Sequence, residues 1–124
     1  MEIHKSAEDY LETILMLRRA NGTVRSVDVA EAMHFSKPSV SVAMKKLRES
    51  SHVIREDNGL LTLTESGEAI AVRIDERHRI LTRMLMALGV EEETAAEEAC
   101  QIEHVISDTT MEKIKQHMLE KLGE

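Results

Sequence analysis

Aromatic side chains are nearly absent from this 124-residue chain: Tyr10 and Phe35 are the two, 2% of the sequence, and there is no tryptophan. Proteins that hold single-stranded nucleic acid stack its bases on aromatic platforms, so that mode of binding is argued against. The core has to be built from Leu, Ile, Val, Met and Ala, which points to a helix-rich fold. Cysteine occurs once, at Cys100, which excludes an internal disulfide. With no sign of export, the cytoplasm is the expected compartment. No apolar run reaches the roughly 18 residues of a membrane span, so no membrane association is expected. Met1-Glu2-Ile3-His4 leads straight into a polar helix start, which predicts no signal peptide. An excess of basic charge is also missing, since the net charge is -7. That sum hides an asymmetry. Residues 1–73 hold 10 Lys+Arg and 11 Asp+Glu, net -1, whereas residues 74–124 hold 6 and 12, net -6. Between 37 and 48 stand Lys37, Lys45, Lys46 and Arg48 and no acid. Phosphate responds to that local charge rather than to the total.

What is present is a succession of amphipathic segments. Residues 6–20 read as a helix, with Ser6 as N-cap, Asp9 three residues on, and Leu11, Ile14, Leu15 and Leu17 as the apolar side. Asn21-Gly22 ends it. Ser26 to Met33 is a short second helix and His34-Phe35 a turn. Ser36 caps a third helix running to about Ser50, with Pro38 in its first turn and Val40, Met44 and Leu47 facing inward. Val53-Ile54-Arg55-Glu56 and Leu60-Leu61-Thr62-Leu63, joined by Asp57-Asn58-Gly59, read as a hairpin. Two helices and a tight turn followed by a hairpin make a winged helix-turn-helix. Thr64 then caps a long helix to about Leu88, closed by Gly89, with Ile70, Ile74, Leu81, Leu85 and Leu88 as its stripe. Glu91 to Ile106 is a further helix, Ser107-Asp108 a break, and Thr109 to Leu122 a last one carrying Met111, Ile114, Met118 and Leu122. Met16, Met33, Met44, Met84, Met86, Met111 and Met118 are expected to fill cores. The predicted fold is mainly α, with a DNA-binding domain over 1–73 and a helical metal-binding and dimerisation domain over 74–124.

Two constellations carry chemistry. A recognition helix needs short polar residues at its N-terminus to reach base edges and basic residues to hold phosphate. Ser36, Lys37, Pro38, Ser39 and Ser41 supply the first, and Lys45, Lys46 and Arg48 the second; Arg25 is counted with them. The other constellation is Cys100-Gln101-Ile102-Glu103-His104. On a helix its thiolate, carboxylate and imidazole fall at about 0°, 300° and 40°, on one face, and these are the groups from which divalent-metal sites are made. Asp9 and Glu12, three apart on the first helix, and His78, in the stripe of the long helix, extend the candidate ligands to six. Each alone has a plainer role: a capping-box carboxylate, a solvated acid, a core histidine, a small buried thiol. His4, His34, His52 and His117 show no partner spacing.

The blocks Ala7-Glu8-Asp9-Tyr10-Leu11-Glu12-Thr13-Ile14, Val27-Asp28-Val29-Ala30, Ser36-Lys37-Pro38-Ser39-Val40-Ser41, Leu63-Thr64-Glu65-Ser66-Gly67, Glu76-Arg77-His78-Arg79 and Cys100 through Asp108 together resemble the diphtheria-toxin-repressor family of metal-dependent transcriptional regulators. The likeness covers nearly the whole chain and is nearest to the manganese transport regulator branch. It implies a homodimer of winged helices on a helical dimerisation domain, with metal held by Asp9, Glu12, His78, Cys100, Glu103 and His104. Ser36, Pro38 and Ser39 would approach bases of a palindromic double-stranded operator. The manganese branch has a glutamate where Cys100 stands, and the iron branch a cysteine; the iron branch has a methionine where Asp9 stands. The positions of the iron branch's ancillary site read Thr82 and Ala96 here, and its SH3-like third domain is not expected. Mn(II) is the expected activator, with Fe(II) next, because oxygen and imidazole donors dominate the set. Two other readings are a winged-helix regulator sensing an organic ligand or redox state through Cys100, and a metalloenzyme. The metalloenzyme would need a substrate pocket or nucleophile pair, which no segment supplies.

Overall fold

The computed structural model describes residues 5–122, the side chains of 121 and 122 excepted; Met1–His4 and the side chain of Leu122 lie outside it. Six helices and one two-stranded sheet follow in the order α1 (Lys5–Asn21), α2 (Ser26–Met33), α3 (Lys37–Glu49), β1 (Val53–Arg55), β2 (Leu61–Leu63), α4 (Glu65–Ala87), α5 (Glu92–Ile102) and α6 (Asp108–Leu122). The chain divides into two compact units between Val72 and Arg73, α4 running through the division.

The first unit is the winged helix-turn-helix. Leu11, Ile14 and Leu15 of α1 are all but fully buried, as are Val29 of α2 and Val40 of α3. Val40, Met44 and Leu47 recur at i, i+4 and i+7, so α3 turns one stripe inward and leaves the other face to solvent. Each such side chain contributes about 1.5–3 kcal/mol of transfer free energy. β1 and β2 pair antiparallel in the register Val53↔Leu63, Ile54↔Thr62 and Arg55↔Leu61, burying Val53, Leu61 and Leu63 and exposing Ile54 and Thr62. Gly59, at φ +87°, closes the tip, where glycine alone adopts the conformation without strain. Both aromatic rings of the chain meet: Tyr10 of α1 packs edge-on against Phe35, their centroids 6.0 Å apart.

One close approach sets how α4 starts. A Cβ on Gly67 would lie 2.0 Å from the carbonyl oxygen of His52, just ahead of β1. The same carbonyl accepts the Thr64 amide at 3.1 Å, and the Thr64 hydroxyl accepts the Gly67 amide at 3.1 Å. A larger residue at 67 would push the wing and α4 apart.

The second unit has a thinner core, built on Ile74, Leu81, Ala95, Ala99, Met111 and Met118. Gly89, at φ +101°, ends α4, with the Val90 amide returning to the carbonyl of Leu85 at 3.0 Å.

Several expectations are corrected. Ser6 is not an N-cap but lies inside α1, and Asp9 pairs with Lys5 at 2.9 Å instead of closing a capping box. α5 ends at Ile102, not Ile106, because the backbone tightens there: the Val105 amide bonds the carbonyl of Ile102 at 3.0 Å. Ser107 lies in the break and caps α6, its hydroxyl accepting the Thr110 amide at 3.1 Å, whereas Asp108, expected in the break, is the first residue of α6. Met16 and Met86 are exposed, not core, and Leu88 stands 75% exposed at the end of its expected stripe.

Candidate functional site

The first unit presents the outer face of α3. Ser36, Lys37, Pro38, Ser39, Ser41, Lys45, Lys46 and Arg48 are all exposed. Ser36 is the N-cap, its hydroxyl accepting the Ser39 amide at 3.3 Å and bonding the Ser39 hydroxyl at 2.9 Å. The helix start is thereby fixed while both hydroxyls remain at the surface. Lys45, Lys46 and Arg48 stand two to three turns further along, the spacing needed for basic residues to grip phosphate while the N-terminus meets bases. Val42, 56% exposed on that face, was not singled out from the sequence. An aliphatic side chain interrupting an otherwise polar outer row was the available signal. It is of the kind that meets a thymine methyl.

Arg25 is engaged within the same unit. Its amide donates to the Asp28 carboxylate at 2.8 Å, its guanidinium donates to the carbonyl of Asn58 at the hairpin tip, and its backbone bridges to Leu60. It fastens the wing to the start of α2. Asp9 and Glu12, both half-buried, occupy successive turns of α1. The Asp9 carboxylate faces Lys5, and the Thr13 hydroxyl donates to the Asp9 carbonyl at 2.8 Å.

The second unit gathers the other candidate ligands. Cys100 lies in the last turn of α5; Glu103 and His104 occupy the turn that closes it, so the three share a helix end rather than a continuous helix face. The amide of Glu103 still bonds the carbonyl of Ala99 at 2.9 Å, which holds Glu103 one turn beyond Cys100. One ligand atom from each of Cys100, Glu103 and His104 lies within 4.8 Å of the others. A divalent ion with bonds of about 2–2.5 Å brings its donors to within about 4–5 Å of one another, so the three fit a single ion.

Glu103 is the centre of this group. It is fully buried; its Oε2 is 3.0 Å from Nδ1 of His78 and its Oε1 is 3.3 Å from Nε2 of His104. Oε1 has no hydrogen-bond partner among the described residues. A buried carboxylate oxygen left so costs about 1–3 kcal/mol or more, and a bound cation would supply the missing partner. His78 meets the group at this carboxylate through Nδ1, a contact by which an imidazole and a carboxylate orient one another. Thr82 spends its hydroxyl on the carbonyl of His78 at 2.7 Å, one turn back along α4.

Arg77 was missed as a functional residue. Its side chain is 8% exposed and it donates to the carbonyls of Glu103 and Ile106, both at 3.1 Å. Its only sequence signal was position, immediately before His78.

Residues 2–60 match the iron-dependent repressor N-terminal DNA-binding domain, and residues 64–121 match the iron-dependent repressor metal-binding and dimerisation domain. An HTH-type transcriptional regulator of Methanocaldococcus jannaschii is 35% identical over 113 residues, 90% of each chain. The HTH-type transcriptional regulator MntR of Bacillus subtilis is 36% identical over 109 residues, 88% of this chain and 77% of that one. The solved structure of the manganese regulator SloR superposes with a TM-score of 0.81 at 30% identity; it covers 95% of this chain, which spans 54% of that longer one.

Proposed function

The chain belongs to the iron-dependent repressor family of metal-responsive, DNA-binding transcriptional regulators, and from that membership we propose that it is a cytoplasmic Mn(II)-activated repressor of metal-uptake genes, with Fe(II) the next-best activator. Its relatives are regulators and not enzymes, which sets the metalloenzyme reading aside. The observation that carries the metal reading is Glu103: a buried carboxylate oxygen without a hydrogen-bond partner among the described residues, beside an imidazole and a thiol at ligand spacing.

In this reading Cys100, Glu103 and His104 would hold the ion together with His78 of α4, and Asp9 and Glu12 of α1 would complete the ligand set. The ion supplies positive charge that lets four acidic or thiolate groups lie together. Asp9 and Glu12 belong to the helix against which the helix-turn-helix packs, so engaging them fixes the DNA-binding unit on the dimerisation unit. In the homodimer this sets the two α3 helices at the roughly 34–36 Å spacing of a palindromic operator. Ser36, Pro38 and Ser39 meet bases, while Lys45, Lys46 and Arg48 neutralise phosphates. Metal and DNA binding are then reciprocally coupled, typically by ~1–3 kcal/mol. Carboxylate and imidazole donors outnumber the single thiolate, which suits Mn(II); raw affinity would still favour Zn(II) or Cu(II), so activation turns on coordination number and geometry, and the solved relative at 30% identity is a manganese regulator.

The test is operator-type DNA binding measured with Mn(II), Fe(II), Zn(II) and EDTA. DNA affinity should rise with Mn(II) and collapse with chelator. Equal binding in EDTA would refute the reading and favour a regulator sensing an organic ligand or redox state through Cys100.

A further inference from the structure

Arg77 is a buried cation with an unusual set of partners. It stands on α4 one residue before His78, and its guanidinium grips three points of one short segment. Nη1 donates to the main-chain carbonyls of Glu103 and Ile106, each at 3.1 Å, and Nη2 pairs with the carboxylate of Asp108, the first residue of α6. The end of a helix leaves carbonyls without partners. At the end of α5 one guanidinium satisfies two carbonyls in this segment, and its charge suits the negative end of the helix. Arg73, one turn earlier, adds a longer contact to Asp108 at 3.4 Å from an exposed position.

We infer that Arg77 is the positioning residue of the metal-binding turn: it clamps the backbone from Glu103 to Asp108 and so sets where the Glu103 and His104 side chains stand relative to Cys100. This rests on Cys100, Glu103 and His104 being the ligands. Cys100 is carried by α5 itself, whereas Glu103 and His104 lie beyond the last helical residue. The Glu103 amide keeps its helical bond to Ala99, while the Glu103 carbonyl and the turn that carries His104 are held from outside α5 by the clamp. Lysine keeps the charge but offers a point donor instead of a planar fork, so it cannot serve two carbonyls and a carboxylate in the same geometry.

The test is a Co(II) titration of the full-length protein, followed in the visible and near-ultraviolet, with far-ultraviolet circular dichroism in parallel. Arg77→Lys and Arg77→Gln should each lower Co(II) affinity about 10–100-fold, the range for lost supporting contacts at metal sites. At saturating Co(II) the thiolate-to-metal band of Cys100 should persist, while the visible d–d bands, which report coordination geometry, shift and change intensity. Arg73→Gln should leave affinity and spectrum unchanged. An Arg77→Lys protein with wild-type affinity and spectrum overturns the inference, as does the loss of fold in both Arg77 variants, which would make the residue purely structural. A wild-type protein without a Cys100-dependent Co(II) spectrum would instead overturn the ligand reading itself.

Discussion

At the scale of single residues, the metal reading turns on two side chains with opposite leanings. Glu103 is buried and its Oε1 has no hydrogen-bond partner among the described residues. Glu103→Gln keeps shape and volume but removes the negative charge. Mn(II) affinity, read by the loss of the free-ion electron paramagnetic resonance signal, should fall at least 100-fold with the fold intact. Retention of affinity would show that the carboxylate does not bind the ion. Cys100 is the one soft donor of the set. Cys100→Glu should keep Mn(II)-dependent DNA binding and weaken the affinity for Zn(II), since the substitution exchanges sulfur for oxygen at the same position. Tighter Zn(II) binding by that variant would assign Cys100 a role other than ligand.

At the scale of elements, α3 divides its labour along its length. Lys45→Ala and Arg48→Ala remove charges from the exposed face of α3. Affinity should fall for all DNA sequences alike, and the slope of log affinity against log salt should flatten by about one per residue. Ser39→Ala keeps the amide that Ser36 caps and removes only a hydroxyl. It should change base preference in a binding-site selection while leaving the salt slope alone; the reverse pattern would place the wrong end of the helix on the bases. The start of α4 carries a different kind of constraint. Gly67→Ala would force a Cβ against the His52 carbonyl at 2.0 Å, backbone that cannot rotate away. Thermal unfolding should show a loss of about 3 kcal/mol, the upper end for overpacking. A loss under about 0.5 kcal/mol would mean that the wing and α4 separate freely.

At the scale of the whole molecule, the second unit leaves large apolar side chains at its surface. Its buried set is short, and Leu88, Val105, Met86 and Leu119 remain exposed, Leu88 and Val105 by more than three quarters or close to it. Dimerisation belongs to the family model that this half matches, and such side chains are what a dimer covers. Light scattering at micromolar concentration with Mn(II) present should give twice the 14.0 kDa chain mass. Leu88→Glu together with Val105→Glu should shift the protein toward monomer and weaken operator binding in step. An unchanged dimer would show that these residues lie away from the contact.

Periodicity alone determined the class and order of the elements. Val40, Met44 and Leu47 announce the buried stripe of α3, Pro38 and Ser36 its start, and Asp57-Asn58-Gly59 the hairpin, because these are local preferences that the chain satisfies where it stands. The candidate ligand types around Cys100 were legible too, but not the helix end that carries Glu103 and His104. Other features depended on partners distant in sequence. α5 ends at Ile102 in a tightened turn, and the carbonyls beyond it meet Arg77, whose partners are 26 to 31 residues away. That Gly67 was required depended on a carbonyl 15 residues earlier, and that Arg25 secures the wing depended on Asn58, 33 residues later. A one-dimensional pattern records which way a side chain faces on its own element; which backbone group waits there is settled only when the elements pack.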